Sequence, residues 1–270
     1  MANYVPWLLE RGQGPVVAAA IHDGHEVRED ALARMAISEA DRLREEDPFT
    51  GEWTDLAPTR IVGFRSRFEV DLNRPREKAV YLEPADAWGL HIWKEAPPSD
   101  FLERSLALYD AFYDEVGRLL RKMVDRYGRV VVLDLHTYNH RRQGPDDPGA
   151  DPRGNPDINL GTGTMDRRRW APVVDRFIVE LRNYDFLGRH LDVRENVKFR
   201  GGNFPAWIHR EFPESVCVLA VEVKKFFMDE WTGRADDTQK TAVLRALKST
   251  VWGIHEELLR LEGADPGVLA

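Results

Sequence analysis

The sequence predicts a single-domain α/β fold in which a central mixed β-sheet is flanked by helices. Apolar runs typical of buried strands alternate with helical patterns along the chain. No linker or internal repeat divides the sequence, and a chain of 270 residues with 43% hydrophobic side chains can bury one large core. Residues 1–270 are therefore predicted to form one domain.

Four apolar runs have the length and composition of buried strands. They lie at residues 16–21, 68–72, 130–135 and 216–223. In four other segments the apolar side chains recur at helical spacing, which predicts helices that cover the sheet: 31–44, 101–127, 167–183 and 238–261. Residues 143–155 are rich in proline, glycine and aspartate and are predicted to form a loop, and the tail after Gly263 is predicted to fray.

The overall composition narrows the choice of partners and compartment. A formal net charge of -8 argues against nucleic acid as a partner. No apolar stretch approaches the roughly 18 residues that span a bilayer, so no membrane partner is predicted. The first residues lack the basic start and long apolar centre of a signal peptide, and the one cysteine, Cys217, cannot form an internal disulfide. We therefore predict a cytoplasmic protein.

Charged and polar residues interrupt or follow each of the four predicted strands. In an open α/β sheet, ligands bind beyond the carboxyl ends of the strands, where the loops meet. The polar residues at these positions are His22, Glu26, Asp71, Asn73, Arg74, Asp134, His136 and Glu222. We expect these side chains to share one site.

Two histidines and one acid among them form a candidate metal site. His22 and Glu26 lie on one turn, where Gly24 lets the backbone bend, and His136 would add a third ligand from another strand. Two imidazoles and a carboxylate suit Zn²⁺, although Mn²⁺, Fe²⁺ and Co²⁺ fit the same ligand types. An isolated histidine at a strand end is more often a surface or satisfied core residue. The prediction depends on two separate strand ends that each carry a histidine beside an acid.

Glu222 stands in an apolar run, where a carboxylate costs several kcal/mol unless it is paired or has a task. We predict that it is the general base, which takes a proton from metal-activated water and passes it to the leaving amine. A buried ion pair with arginine or lysine is the structural alternative. Asn73 and Arg74 are predicted to bind a substrate carboxylate, because a guanidinium can donate two parallel hydrogen bonds to it. The alternative for Arg74 is a surface ion pair.

Further candidates are less specific. Asp134 is predicted to orient a ligand imidazole. The other basic residues proposed for the substrate pocket are Arg67, Arg200, His209 and Arg210.

Four motifs, HDGHE, DLNRP, DLH and VEVKKFFMDE, occur in an order that resembles the N-formylglutamate amidohydrolase family. The resemblance covers residues 16–232. His22, Gly24 and Glu26 match the family's H-x-G-x-E motif, whereas the related aspartoacylases place the acid one residue earlier, where this chain has His25. We assign Glu26 as the ligand. The segments Leu160-Gly161-Thr162 and Arg200-Gly201-Gly202 resemble the L-G-T and R-G-G segments of the family.

The resemblance implies a zinc-carboxypeptidase-like architecture, shared with aspartoacylase and succinylglutamate desuccinylase, and Zn²⁺ as the cofactor. It implies that Asn73 and Arg74 hold the substrate carboxylate and that Glu222 is the catalytic base. The chain departs from the family after this glutamate, where Lys224 and Lys225 replace an asparagine–arginine pair. The resemblance therefore predicts the reaction better than the identity of the substrate.

These observations predict a zinc-dependent amidohydrolase. It would cleave the linear amide of a small N-acyl amino acid or related carboxylate, N-formyl compounds included, with metal-activated water. One alternative is a metallocarboxypeptidase or deacylase that acts on a peptide, with residues 143–155 gating the site. Another is a binding protein that keeps the scaffold without turnover.

Overall fold

The computed structural model describes residues 5–263, so the predicted fraying of the tail after Gly263 lies outside the described residues. The strands within this range are β1 Trp7–Glu10, β2 Val16–Ala20, β3 Thr59–Gly63, β4 Val130–Tyr138, β5 Ile158–Gly161, β6 Val193–Glu195 and β7 Val216–Lys224. The α-helices are α1 Glu29–Leu32, α2 Glu39–Glu45, α3 Thr50–Trp53, α4 Ser99–Tyr127, α5 Ala171–Asn183, α6 Asn203–Glu211, α7 Asp237–Ser249 and α8 Val251–Gly263. Among the described residues, no helix is both long and apolar enough to cross a membrane.

The strands of the described chain form one seven-stranded sheet in the order β1-β3-β2-β4-β7-β5-β6. β3, β2, β4 and β7 run parallel to one another. β1 is antiparallel to β3, β5 is antiparallel to β7, and β6 is parallel to β5. The predicted α/β fold with a mixed sheet and flanking helices is therefore confirmed. Because β2, β4 and β7 are parallel neighbours, their carboxyl ends meet at the same edge of the sheet.

Alternate side chains of the central strands enter two hydrophobic cores. Val131 and Leu133 of β4 belong to one core, which also contains buried side chains of α5, α7 and α8. Val130 and Val132 belong to the other, which is built with α4 and α6. Strands that are covered on both faces are apolar at every position. This burial explains why β2, β4 and β7 appear in the sequence as continuous apolar runs.

The long helix α4 supplies one wall of the second core. Pro98 precedes its first residue, and Gly128, with a φ of 68°, ends it in the left-handed region that favours glycine. Its buried positions include Phe101, Phe112 and Val116, which recur at helical spacing. The predicted helices at 101–127 and 167–183 are confirmed as α4 and α5, with small shifts of their first residues.

The strand predicted at residues 68–72 is wrong, and β3 is the strand that joins β2, β4 and β7 in the parallel set of four. Phe68, Val70 and Leu72 are buried, as a strand pattern requires. However, the intervening Glu69 and Asp71 are also fully buried. This segment has no solvent-exposed face and, among the described residues, no strand partner, and it folds as turns. Glu69 and Asp71 are satisfied there by side-chain and backbone donors.

Two predicted helices are divided. Residues 31–44 form α1 and α2 rather than one helix, because Met35 makes a β-bridge with Trp93 between them. Ser38 then starts α2 by accepting a hydrogen bond from the Asp41 backbone N–H at 3.1 Å. Residues 238–261 divide at Thr250 into α7 and α8. In both segments the apolar periodicity continues through residues at which the helix is interrupted.

Candidate active site

A cavity of about 320 Å³ opens where the carboxyl ends of β2, β4 and β7 meet. The predicted metal ligand Glu26 does not line it. The predicted residues that line it are His22, Arg67, Asn73, Arg74, His136, Arg200 and Glu222. One sheet edge therefore gathers side chains that are far apart in the sequence, as expected for parallel strands.

Three buried side chains in this cavity, His22, Asp47 and His136, have potential ligand atoms that all lie within 4.8 Å of one another. Asp47 Oδ2 lies 2.9 Å from His136 Nδ1 and 3.4 Å from His22 Nδ1. His22 follows β2 and His136 lies in β4, whereas Asp47 belongs to the turn after α2. We call these three residues the His–Asp–His cluster.

Glu26 does not join this cluster, so Asp47 replaces it in the candidate ligand set. The Glu26 backbone N–H donates to Phe64 O at 3.0 Å, and its side chain is exposed. A Cβ at Gly24 would lie 2.2 Å from the carbonyl carbon of Phe64, so only glycine fits where this turn packs against the chain that follows β3. His25 also lies apart from the cluster, because its Nδ1 hydrogen-bonds with Glu46.

Each imidazole of the cluster is contacted on its other nitrogen by a buried carboxylate. His22 Nε2 hydrogen-bonds with Asp71 Oδ1 at 2.7 Å, and His136 Nε2 lies 3.0 Å from Asp134 Oδ1. Ligand histidines in metal sites usually donate their second N–H to a carboxylate in this way, which fixes the ring and its tautomer. Asp134 therefore lies beside His136, as a residue that orients this ring would, and Asp71 lies in the same way beside His22.

The charges around the cluster favour a cation. Burial alone would raise the pKa of Asp47, but the hydrogen bond from His136 and the nearby His22 outweigh burial and hold that pKa well below its usual value. Burial would lower the pKa of His136, but Asp134 and Asp47 raise it well above its usual value. His22 Nδ1 is buried without a hydrogen-bond partner among the described residues. An unused ligand atom and an excess of buried carboxylate both suit a divalent ion.

Glu222 lies opposite His136 in the register of β4 and β7 and lines the cavity. Burial raises the pKa of Glu222 to about 8. Among the described residues, Glu222 takes part in no ion pair with an arginine or lysine. The structural alternative of a buried ion pair is therefore not favoured for this carboxylate.

The segment of residues 72–74, which carries Asn73 and Arg74, is held by its backbone. The Tyr113 hydroxyl donates a hydrogen bond to Leu72 O at 2.7 Å, and the Tyr109 hydroxyl donates one to Arg74 O at 2.9 Å. The Asn203 backbone N–H donates to Asn73 O at 3.1 Å. The side-chain amide of Asn203 donates to both tyrosine hydroxyls. We call these three donors the carbonyl clamp. It ties an irregular segment to α4 and α6.

The Asn73 side chain is also partly committed to the fold. Its Oδ1 accepts a hydrogen bond from the Phe204 backbone N–H at 2.9 Å. A Cβ at Gly202 would lie 2.3 Å from the same oxygen, so a side chain at this position would displace the Asn73 amide. The amide nitrogen of Asn73 is thus the atom that can donate to a ligand.

The arginines of the cavity differ in how strongly they are held. Arg67 donates to Asp71 Oδ2 at 2.9 Å, and its guanidinium lies 4.9 Å from the centre of the Trp88 ring. The Arg74 side chain is 41% exposed and lies 3.8 Å from Asp71. Arg200 is exposed and pairs with no carboxylate of the described residues. Arg74 and Arg200 are therefore the freer cations for an anionic ligand.

Two other basic candidates lie outside the cavity. His209 is buried, where its Nε2 accepts from the Val218 backbone N–H and its Nδ1 hydrogen-bonds with Thr164, each at 2.9 Å. Arg210 lines a separate open groove beside Tyr109. Neither lines the cavity with Glu222.

Several cavity residues were missed from the sequence. They are Glu45, Asp47, Trp88, Asn139, Arg142 and Lys225. Asp47 ends a run of three acids before Pro48, which resembles an ordinary charged helix end. The only signal for Lys225 was the departure from the family motif after Glu222. Their positions depend on contacts between distant segments, which no local pattern records.

The fold and the cavity together define an α/β protein in which a buried His–Asp–His cluster lies beside several basic side chains. The sequence model of the N-formylglutamate amidohydrolase family matches residues 14–228. The chain therefore belongs to the N-formylglutamate amidohydrolase family, and the predicted resemblance is confirmed. The family is one of amidohydrolases, which supports an enzyme that hydrolyses an amide.

The solved structures that resemble the chain include two bacterial proteins. The crystal structure of N-formylglutamate amidohydrolase from Ralstonia eutropha has a TM-score of 0.74 and 19% sequence identity, and the match covers 94% of this chain and 98% of that one. A gene product from Agrobacterium tumefaciens has a TM-score of 0.61 and 17% identity, with 93% and 90% of the two chains covered. At these identities the likeness shows the fold. A comparison with curated protein sequences gave no significant match.

Proposed function

We propose that this protein is a zinc-dependent amidohydrolase that cleaves the amide of a small N-acyl amino acid or related carboxylate, N-formyl amino acids included. One observation carries the proposal. A single cavity contains the His–Asp–His cluster, a glutamate that forms no ion pair with the described residues, and the exposed side chains of Arg74 and Arg200. Family membership supports the same reaction class.

The metal would be held by His22, Asp47 and His136, which offer the two imidazoles and one carboxylate that suit Zn²⁺. A bound ion of this kind polarises the scissile carbonyl and makes water more acidic. Asp71 and Asp134 would keep the two rings in the orientation that points Nδ1 at Asp47.

Glu222 would act as the general base and acid. It takes a proton from the attacking water and passes it to the nitrogen of the leaving amine. Because burial raises its pKa to about 8, positive charge nearby is needed to favour the ionised form at neutral pH. The position of Glu222 opposite His136 in the sheet keeps it beside the cluster.

The basic side chains would orient the substrate. Arg74 and Arg200 are free to bind a carboxylate, and the Asn73 amide nitrogen can add a further hydrogen bond. Arg67 is fixed between Asp71 and Trp88 and would provide a preorganised positive charge for the oxyanion that forms. We further propose a cytoplasmic location, since the single cysteine, Cys217, is a buried free thiol.

Metal analysis of the purified protein tests the first part of the proposal. We expect one transition-metal ion per chain, and zinc is the ion that two imidazoles and one carboxylate suit. The His136→Ala variant should lose this ion while its circular dichroism spectrum stays that of the wild type. A wild-type protein that binds no transition metal, even after incubation with Zn²⁺, would contradict the proposal.

A substrate panel tests the second part. N-formyl, N-acetyl and N-succinyl amino acids are compared with short peptides under the same conditions. We expect hydrolysis of at least one small N-acyl amino acid and none of the corresponding amino-acid amide, which has no carboxylate for the arginines. Activity on peptides alone would instead support the peptide deacylase or carboxypeptidase alternative.

A further inference from the structure

Lys225 is a fully buried lysine at the edge of the cavity. Its side chain is only 1% exposed, and it begins the short 3-10 turn Lys225–Phe227 that follows β7. Its Nζ donates to the backbone oxygens of Arg44 at 2.6 Å and Glu46 at 2.8 Å. Among the described residues, no carboxylate forms an ion pair with it. A buried ammonium is therefore satisfied mainly by two main-chain carbonyls.

These two carbonyls lie at the carboxyl end of α2. The last carbonyls of a helix have no partner within the helix, and the end of the helix dipole there attracts a cation. α2 ends at Glu45, and Glu46 is the residue after it. Lys225 thus caps α2 from 179 residues further along the chain.

The residue that follows this cap is Asp47. Its backbone N–H donates to His22 O at 3.0 Å, and its Oδ1 accepts from the Thr137 hydroxyl at 2.9 Å. The backbone N–H and the carboxylate of Asp47 are therefore held by residues at the ends of β2 and β4. On the other side, the preceding peptide is fixed by Lys225 through Glu46 O.

We propose that Lys225 is a positioning residue for the metal centre, because it fixes the end of α2 from which Asp47 reaches the two histidines. This inference rests on the proposed function, since it gives Asp47 the role of a ligand. Lys225 stands where the sequence departs from the family motif, so the proposed role applies to the lysine of this chain.

The neighbouring lysine provides a matched control. Lys224 pairs with Asp157 at 2.9 Å and donates to Asn155 O at 3.1 Å, and it does not line the cavity. Replacing either lysine removes one charge at the end of β7. Only Lys225 contacts the segment before Asp47.

The test measures the affinity of the metal-free protein for Zn²⁺ by competition with a chromogenic chelator. We expect Lys225→Met to weaken Zn²⁺ binding by about 10- to 100-fold, as changes to groups behind metal ligands do. Lys225→Gln keeps one donor group and should weaken binding less. Lys224→Met should change the affinity by no more than about twofold, as expected for an independent site.

A double-mutant cycle separates positioning from general destabilisation. If Lys225 acts through Asp47, then Lys225→Met should have little further effect on Zn²⁺ affinity once Asp47→Asn is present. Circular dichroism of each metal-free variant shows whether the fold is kept. Equal losses of affinity in the two backgrounds would mean that the lysine serves the fold in general, and would overturn the inference.

The remaining outcomes are also decisive. Wild-type affinity in a folded Lys225→Met or Lys225→Gln variant overturns the positioning role while leaving the proposed function intact. Failure of both variants to fold assigns Lys225 to the fold rather than to Asp47, which likewise overturns it. A wild-type protein without Zn²⁺ affinity removes the proposed function itself, so the two failures are distinguishable.

Discussion

The two halves of the cavity are built in different ways. The two histidines of the His–Asp–His cluster and Glu222 are placed by parallel strands, because His22 and His136 lie at the ends of β2 and β4 and Glu222 lies opposite His136 in β7. Asn73 and Arg74 lie instead on irregular backbone that the carbonyl clamp ties to α4 and α6. The register of a sheet places side chains without further help, whereas an irregular segment needs a hydrogen bond for each carbonyl. We therefore expect changes in the first half to abolish chemistry and changes in the clamp to weaken substrate binding.

The largest expected effect comes from Asp47→Ala. This change removes the only acid of the candidate ligand set, so we expect loss of the bound metal and of hydrolysis. Glu26→Ala is the control, because Glu26 is exposed and lies outside the cavity. Metal content and kcat are measured for both proteins. If Glu26→Ala lost the metal and Asp47→Ala kept it, the ligand assignment would be reversed.

Glu222→Gln should impair proton transfer without affecting metal binding in the half of the cavity that parallel strands build. The amide keeps the size of the side chain but cannot accept the proton, so kcat should fall by about 10²- to 10⁴-fold. Metal content should stay at the wild-type level, because Glu222 is not part of the His–Asp–His cluster. An unchanged kcat would refute the role of general base.

Protonation of His209 on α6, the helix that also carries Asn203 of the carbonyl clamp, should destabilise the folded protein in acid. Burial lowers the pKa of His209 from 6.5 to about 4, so the folded protein favours the neutral ring. The stabilising effect is complete above about pH 6.5 and decreases as the pH falls toward 4, because the unfolded chain binds the proton more readily. The loss should reach at most about 3 kcal/mol of unfolding free energy.

Urea unfolding at a series of pH values measures this effect. In the His209→Gln variant, the amide can still hydrogen-bond with Thr164 and the Val218 N–H but does not titrate. Its stability should therefore depend less on pH between 6.5 and 4 than that of the wild type. The difference between the two proteins at pH 8 gives the cost of the substitution itself. Parallel curves for both proteins would exclude His209 as the source.

The smallest expected effect is that of Tyr113→Phe, which removes one donor of the carbonyl clamp. Loss of its hydrogen bond to Leu72 O should cost about 1 kcal/mol and loosen the segment that carries Arg74. We expect KM to rise about fivefold with kcat nearly unchanged, because substrate binding weakens while the cluster is untouched. Tyr127→Phe is the control, since that hydroxyl accepts from the Gly14 N–H away from the cavity. A fall in kcat at constant KM would contradict the division into two halves.

The sequence was most informative where burial imposes a repeating pattern. β2, β4 and β7 are covered on both faces, so their apolar runs stand out, and a histidine or glutamate within or just after such a run is conspicuous. The edge strands β1 and β6 and the inner strand β5 are short, and they gave no comparable signal. The run at 68–72 was misleading, because burial alone does not distinguish a strand from a buried turn.

The sequence by itself determined the α/β class, the family and the placement of His22, His136 and Glu222 at one sheet edge. These features follow from local apolar patterns and from motif order. Only the tertiary structure decided that Asp47 completes the cluster, that Lys225 fixes the end of α2, and that tyrosines hold residues 72–74. The physical reason is that these contacts join segments separated by many residues, and which acid reaches a histidine depends on how turns pack. Gly24 illustrates this, since it packs against Phe64 and Glu26 then pairs with the chain that follows β3 instead of lying beside His136.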